Sequence, residues 1–212
     1  SAHWITPGST KVLISPKPRT IHDFGGFPQK LFDQQYPAPG AENYAQATVN
    51  MIQNTQVLPD QEWGYDHGTW SVLLQMYPEA DIPVYQLSLD YAKAPIYHYE
   101  LAMQLKPLRE KGVLIIGSGN LVHNLRMARM HAEPYDWNIE FDQMMKTYID
   151  DRDFTAVANF QSLGQLAKLA HPSHDHFLPI LYALGIVGDK DRISYFCDDY
   201  DLASVSMRSL LI

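Results

Sequence analysis

The stretch from Pro95 to Asn120 constrains the fold more than any other part of the chain. Pro95 suits the first turn of a helix, and Tyr97, Leu101, Leu105 and Leu108 then recur at the spacing of one helix face. Lys111-Gly112 ends that helix with a cation and a C-cap glycine. Val113-Leu114-Ile115-Ile116 follows, a continuous apolar run of the kind a strand shows when both its faces are covered. Gly117-Ser118-Gly119-Asn120 breaks the run, and Leu121 to Arg129 again reads as helix. This order is the grammar of an α/β domain.

The remaining pattern fits the same class. Lys11 to Ser15 and Pro83 to Leu89 read as strands, and Arg192 to Phe196 and Ser204 to Leu211 as closing strands. Helices are predicted over Glu42 to Gln53, Trp137 to Asp150, Phe154 to Ala170 and Phe177 to Leu184. The proline-rich segment from Ser15 to Pro39 is expected to be an irregular loop around a short helix. No repeat or linker divides the 212 residues. The expectation is therefore a single α/β domain over residues 1–212, with a central, mostly buried mixed sheet flanked by helices. The chain opens Ser1-Ala2-His3-Trp4 without an initiator Met or a signal-type apolar stretch, which predicts a fragment or a processed product.

Composition narrows the function. Apolar residues make up 46% and charged residues 19%, a globular balance that excludes disorder. The net charge of −8, with 16 scattered basic residues, argues against a nucleic-acid partner. No apolar run has the length of a membrane span. One cysteine in an acidic chain suits a reducing compartment, and a cytoplasmic location is expected. Nine histidines against that single cysteine mean that any metal site is built from imidazole and carboxylate.

Ligands of open α/β sheets collect beyond the carboxyl ends of strands, and His3 and His123 fall in such places. His22 and His67 lie in glycine-flanked aromatic segments, and His176 in a loop just ahead of an apolar helix. A histidine beside a turn is more often a surface or capping residue than a ligand. His98 and His131 are assigned to that bland class, and His171 and His174 fit it as well as they fit a site. Gly117-Ser118-Gly119 lacks the third glycine and the downstream acid of a dinucleotide fingerprint, and it is no nucleophile elbow. Cys197, in an apolar segment, is expected in the core rather than as a nucleophile.

Six segments in register then carry a resemblance. They are Ser1-Ala2-His3-Trp4, Thr20-Ile21-His22-Asp23-Phe24-Gly25-Gly26-Phe27-Pro28, Tyr36-Pro37-Ala38-Pro39-Gly40, Asp66-His67-Gly68-Thr69-Trp70, Gly117-Ser118-Gly119-Asn120-Leu121-Val122-His123-Asn124-Leu125 and His176-Phe177-Leu178-Pro179. Together they resemble the class III extradiol ring-cleaving dioxygenases, in the 4,5-DOPA dioxygenase branch, over nearly the whole chain.

The resemblance implies an enzyme that holds non-haem Fe(II) and opens a catechol ring such as that of L-DOPA, inserting both atoms of O₂. By motif, His3 and His176 are implied as metal ligands. His123 is implied either as a further ligand or as the acid/base that moves a catechol proton, a task suited to imidazole. His22 and His67 are implied at the substrate, and Asp23 or Asp66 behind the imidazoles. His174 competes with His176 for its role. The family's Gly-His-Gly-Ser segment, which supplies one more metal-binding histidine, has no counterpart here, so the catalytic domain is expected to lack its N-terminal strand and first metal-ligand loop. Two rivals share the fold: a zinc-binding protein, since an imidazole-rich shell accepts Zn(II) readily, and a non-catalytic binding module. Natural substrate, bond cleaved and oligomeric state are left open by the sequence.

Overall fold

Thr10–Leu13 (β1) opens a chain-ordered series of short elements: Arg19–Thr20 (β2), Gln29–Phe32 (α1), Glu42–Met51 (α2), Val57–Asp60 (β3), Gly64–Tyr65 (β4) and His67–Met76 (α3). These belong to the first of two units, Ser1–Lys93, in a computed structural model that describes residues 1–212. The second unit, Ala94–Ile212, contains Pro95–Met103 (α4), Lys106–Arg109 (α5), Asp136–Asp150 (α6), Phe154–Ala158 (α7), Gln165–Ala170 (α8) and Leu178–Gly185 (α9). It closes with Ser194–Phe196 (β5), Tyr200–Asp201 (β6), Val205–Ser206 (β7) and Ser209–Leu211 (β8). The class is α/β. Its strands pair two by two instead of in one central sheet: β1 with β3 and β2 with β4 run parallel, β5 with β8 and β6 with β7 antiparallel. No helix is long and apolar enough to cross a membrane.

In the first unit, β1 meets β3 in the register Thr10↔Val57 to Leu13↔Asp60. Leu13 joins Trp4, Tyr36, Tyr65, Trp70 and Leu73 in a buried cluster. The Tyr65 hydroxyl reaches the Val84 carbonyl at 2.9 Å, so this core tyrosine carries its polar tip inward without leaving it unpaired. The segment expected as a strand over Pro83 to Leu89 pairs with neighbouring backbone through isolated bridges, Val12↔Leu87, Ile5↔Leu89 and Gly40↔Val84. It serves three different partners in turn, and no continuous ladder forms.

In the second unit, α4 packs along α9. The approach is close because Gly185 has no side chain: a Cβ there would stand 2.6 Å from the Ala102 Cβ. Phe141, Phe160 and Phe177 form an aromatic core around His171, and all four are buried. The buried Asp142 accepts hydrogen bonds from Arg208 and Ser206, which ties the C-terminal hairpins to α6.

Several expectations are corrected. Val113 to Ile116 forms no strand, and Leu114 is 58% and Ile116 38% exposed; β propensity makes no strand where no partner pairs with it. Leu121 to Arg129 contains only a 3₁₀ turn at Leu125–Met127. Its amides are spent on distant carbonyls, His123 on Ala170 and Asn124 on Ser204, rather than on a helical ladder. The helix expected from Phe154 to Ala170 falls into α7, a 3₁₀ turn at Phe160–Leu163 and α8, with a positive φ of 62° at Gly164 before α8. Cys197 is exposed, and His98 is fully buried with Nδ1 2.9 Å from the Tyr182 hydroxyl.

His171, admitted as a solvated loop residue, lies in the core. Desolvation lowers its pKa from 6.5 to about 3, despite its bond to the Leu121 carbonyl. Within that window the unfolded chain binds a proton that the folded chain refuses, so stability falls as pH drops below 6.5. The slope from this group is up to about 1.4 kcal/mol per pH unit. His171→Gln should flatten the dependence of the urea midpoint on pH in the upper part of the window; an unchanged profile would mean that the imidazole is not held neutral.

Candidate active site

Asp66 organises the histidines of the first unit. It is fully buried and caps α3, accepting from the Thr69 amide at 3.1 Å. It also accepts from the Ser1 hydroxyl at 2.6 Å and from Gln86 Nε2 at 2.8 Å. Burial alone would raise its pKa; the His3 imidazole and the hydrogen bonds from Ser1 and Gln86 overcome this and hold the carboxyl well below the usual carboxylate range. Ser1 has one hydroxyl proton, which goes to Asp66, so at 3.2 Å the His3 Nδ1–H is the donor to Ser1 Oγ. Asp66 thus orients His3 through Ser1.

The helix that Asp66 caps begins with His67. Its ring centroid lies 3.9 Å from that of His3, and its Nδ1 stands 2.9 Å from Asp23 Oδ1. The same Asp23 oxygen accepts from the His67 amide at 2.8 Å. One ligand atom from each of His3, Asp23 and His67 falls within 4.8 Å of the others. Two imidazoles and a carboxylate, with no thiolate near, suit a borderline divalent cation. Gly68 makes this possible: a Cβ there would stand 2.6 Å from both His3 Nδ1 and Ser1 Oγ.

His22 takes a different place. Its Nε2 donates to the Gln34 carbonyl at 2.9 Å, and its ring sits among Phe24, Phe32 and Trp70. Trp70 donates to the Ile21 carbonyl at 2.9 Å, holding the loop of His22 and Asp23 against α3.

The second unit brings His123 and His176 together. Their rings stack in parallel, with centroids 3.6 Å apart and planes 4° from coplanar. His176 Nδ1 lies 2.9 Å from Asp175 Oδ2. Although burial opposes it, the hydrogen bonds from His176 and Ser173 hold Asp175 well below the usual carboxylate range. A carboxylate only accepts, so Nδ1 carries the proton and Nε2 is left as the basic nitrogen, the tautomer a metal-binding histidine needs. The loop of His123 is clamped to that of His176 by Asn120 N–H donating to the His176 carbonyl at 2.8 Å. A Cβ at Gly119 would stand 2.2 Å from that carbonyl oxygen, so only glycine admits the approach.

The motif-based histidines therefore fall into two groups: His3 with His67 in one unit, His123 with His176 in the other, and His22 bonded beside the first. The sequence does not single out Asp175, and it leaves His171 evenly balanced between a solvated loop residue and a site residue. An acid next to a candidate ligand was a usable signal for Asp175. The buried role of His171 carried none, because it depends on where Leu121 ends up.

Comparison with known proteins agrees with this chemistry. Residues 1–204 match the family described as the catalytic LigB subunit of aromatic ring-opening dioxygenase. The chain is 41% identical over 218 residues to the 4,5-DOPA dioxygenase extradiol of Escherichia coli K12, covering all of this chain and 80% of that protein. It is 35% identical to the enzyme of the same name from Beta vulgaris, covering 95% of this chain and 76% of the relative. The crystal structure of an uncharacterized Escherichia coli K12 protein superposes with a TM-score of 0.81 at 33% identity, covering 99% of this chain and 82% of that one. The fold and the family match are those of a ring-opening dioxygenase, a class in which metal binding is general. The chain belongs to the LigB family and is an extradiol dioxygenase, acting on a small molecule and O₂.

Gly68→Ala tests the close packing of His3. Alanine is the better helix former by about 1 kcal/mol, so the variant should stay folded. Its Cβ should displace His3, shift the His3 ring resonances and weaken Zn(II) or Fe(II) binding about 10- to 100-fold. Unchanged ring resonances would show that His3 does not depend on the bare α3 turn.

Proposed function

We propose that the protein is an Fe(II)-dependent dioxygenase that opens the ring of a catechol such as L-DOPA. The observation that carries this reading is the stacked pair of His123 and His176, with Nδ1 of His176 committed to Asp175. One ring is thereby prepared to bind a cation, and the other stands beside it. The names of the relatives from Escherichia coli and Beta vulgaris support DOPA as the substrate class.

In this reading His176 is a metal ligand, its Nε2 prepared by Asp175 on the other side of the ring, and the motif of His3 implies the same role for that residue, whose Nδ1 is committed to Ser1. When bound, Fe(II) would supply Lewis acidity toward catechol oxygens and one-electron chemistry toward O₂. His123 would accept a proton from a catechol hydroxyl and later give it to the leaving oxygen, a task suited to imidazole. His67 and His22 face the substrate among Phe24 and Trp70, whose rings supply apolar walls for an aromatic ligand. A second reading rests on the His3–Asp23–His67 cluster, in which Asp23 and His67 replace His176 as metal ligands.

Metal retention after desalting separates the two. Under the first reading, His3→Ala and His176→Ala lose stoichiometric metal while Asp23→Asn and His67→Ala keep it; the reverse pattern for His176 and His67 establishes the second. His123→Ala should keep metal and lower kcat by at least about 100-fold; loss of metal would make His123 a ligand. For the reaction itself, protein loaded with Fe(II) without air and given L-DOPA should take up O₂ one-to-one with a yellow ring-opened product. Bound iron with L-DOPA and simpler catechols all inert would leave a zinc protein or a binding module of the same fold.

A further inference from the structure

We propose that His171 is a positioning residue: through one hydrogen bond to the Leu121 carbonyl it sets the loop that carries His123, and so keeps the His123 and His176 rings stacked. The inference rests on the reading of His123 as the acid/base of turnover.

His171 Nε2 lies 2.8 Å from the Leu121 oxygen in a buried contact. A carbonyl only accepts, so Nε2 carries the proton and Nδ1 carries the lone pair. Nδ1 is buried and has no hydrogen-bond partner. The ring's one polar commitment is therefore Leu121, two residues before His123. Its plane is fixed by Phe141, Phe160 and Phe177, whose ring centroids lie 5.6, 5.7 and 5.1 Å away. An apolar side chain of the same size would pack against those rings without the cost of burying an unpaired nitrogen. What the imidazole adds at this position is the bond to Leu121.

The grip has a second point one residue earlier. The Ala170 carbonyl accepts from the His123 amide at 3.0 Å, so consecutive residues hold the peptide on either side of Val122. Asn124 Nδ2 extends the row to the Leu169 carbonyl at 2.7 Å. His171 leads directly, through the short loop ending at Asp175, to His176. The two rings are thus referenced to one stretch of chain, in which the side chain of His171 holds the residue two before His123.

The test compares His171→Leu with His171→Gln in the full chain. Glutamine places an amide N–H near the position of Nε2, whereas leucine keeps the packing and removes the donor. His171→Leu should retain stoichiometric metal and a KM within about threefold of the parent, and lose about 10- to 100-fold in kcat, the scale of a 1 Å misplacement. His171→Gln should recover kcat to within about threefold. In metal-free protein the ring resonances of His123 and His176 should move together in the leucine variant and return in the glutamine variant. Parental kcat and unmoved rings in His171→Leu would overturn the proposal, as would a folded glutamine variant that restores neither. If the leucine variant does not fold, nitrogen-15 spectra of the unaltered protein decide: His171 must be the Nε2–H tautomer with a slowly exchanging proton, and an Nδ1–H tautomer overturns the assignment. Should the parent itself take up no O₂, the dioxygenase reading fails while the ring resonances still judge the positioning.

Discussion

A single buried carboxylate does two jobs in the first unit that are usually separate. Asp66 caps α3, and the helix it caps starts with His67. Through Ser1 it also turns His3, whose ring then lies on the bare first turn of that helix at Gly68. A helix N-terminus carries partial positive charge, which favours an ionised carboxylate there. That carboxylate accepts the hydrogen bond of the Ser1 hydroxyl, which leaves Ser1 Oγ as the acceptor for the Nδ1–H of His3. Removing the carboxylate would therefore loosen the start of the helix and the tautomer of the histidine together.

The second unit uses the same logic with a different oxygen for each ring. Imidazole has two nitrogens, and a ring that is to bind a metal or move a proton through one of them must have the other occupied. Asp175 occupies Nδ1 of His176. The Leu121 carbonyl occupies Nε2 of His171, in the opposite sense, and the remaining nitrogen of that ring is sealed in an aromatic core. Burial then separates the roles. His171 is driven neutral by desolvation and is fit only to hold the backbone, whereas His176 is half-buried beside a carboxylate and is fit to take a cation.

How much of this was legible in the sequence follows from how far each feature depends on remote chain. The helices at Glu42–Met51, Asp136–Asp150 and Leu178–Gly185 were readable because their periodicity is local. The candidate residues His3, His67, His123 and His176 were readable as motifs, and the pairs they form occur within each unit. Val113 to Ile116 misled because an apolar run gives a preference for strand without stating a partner. Leu121 to Arg129 misled because its helical pattern lost to cross-chain bonds at His123 and Asn124. His98 and His171 misled for the opposite reason: each looks polar locally, and each is buried with one ring nitrogen bonded to a distant oxygen, Tyr182 Oη or Leu121 O.

The glycine pair at Gly117 and Gly119 shows how one pattern can serve chemistries that the sequence alone does not distinguish. A Gly-x-Gly turn ahead of a helix can cradle phosphate because bare backbone lets an anion approach. Here no long helix follows, and the absent side chains admit protein carbonyls instead. A Cβ at Gly117 would stand 2.4 Å from the Pro179 carbonyl oxygen, and one at Gly119 would stand 2.2 Å from that of His176. The loop therefore lies directly against the segment of His176 and the first turn of α9. Asn120 closes the contact by donating its amide to the His176 carbonyl, and three residues later His123 emerges parallel to the His176 ring. The glycines bring two imidazoles into register, and any larger residue at 119 would separate them before the chemistry of either came into play.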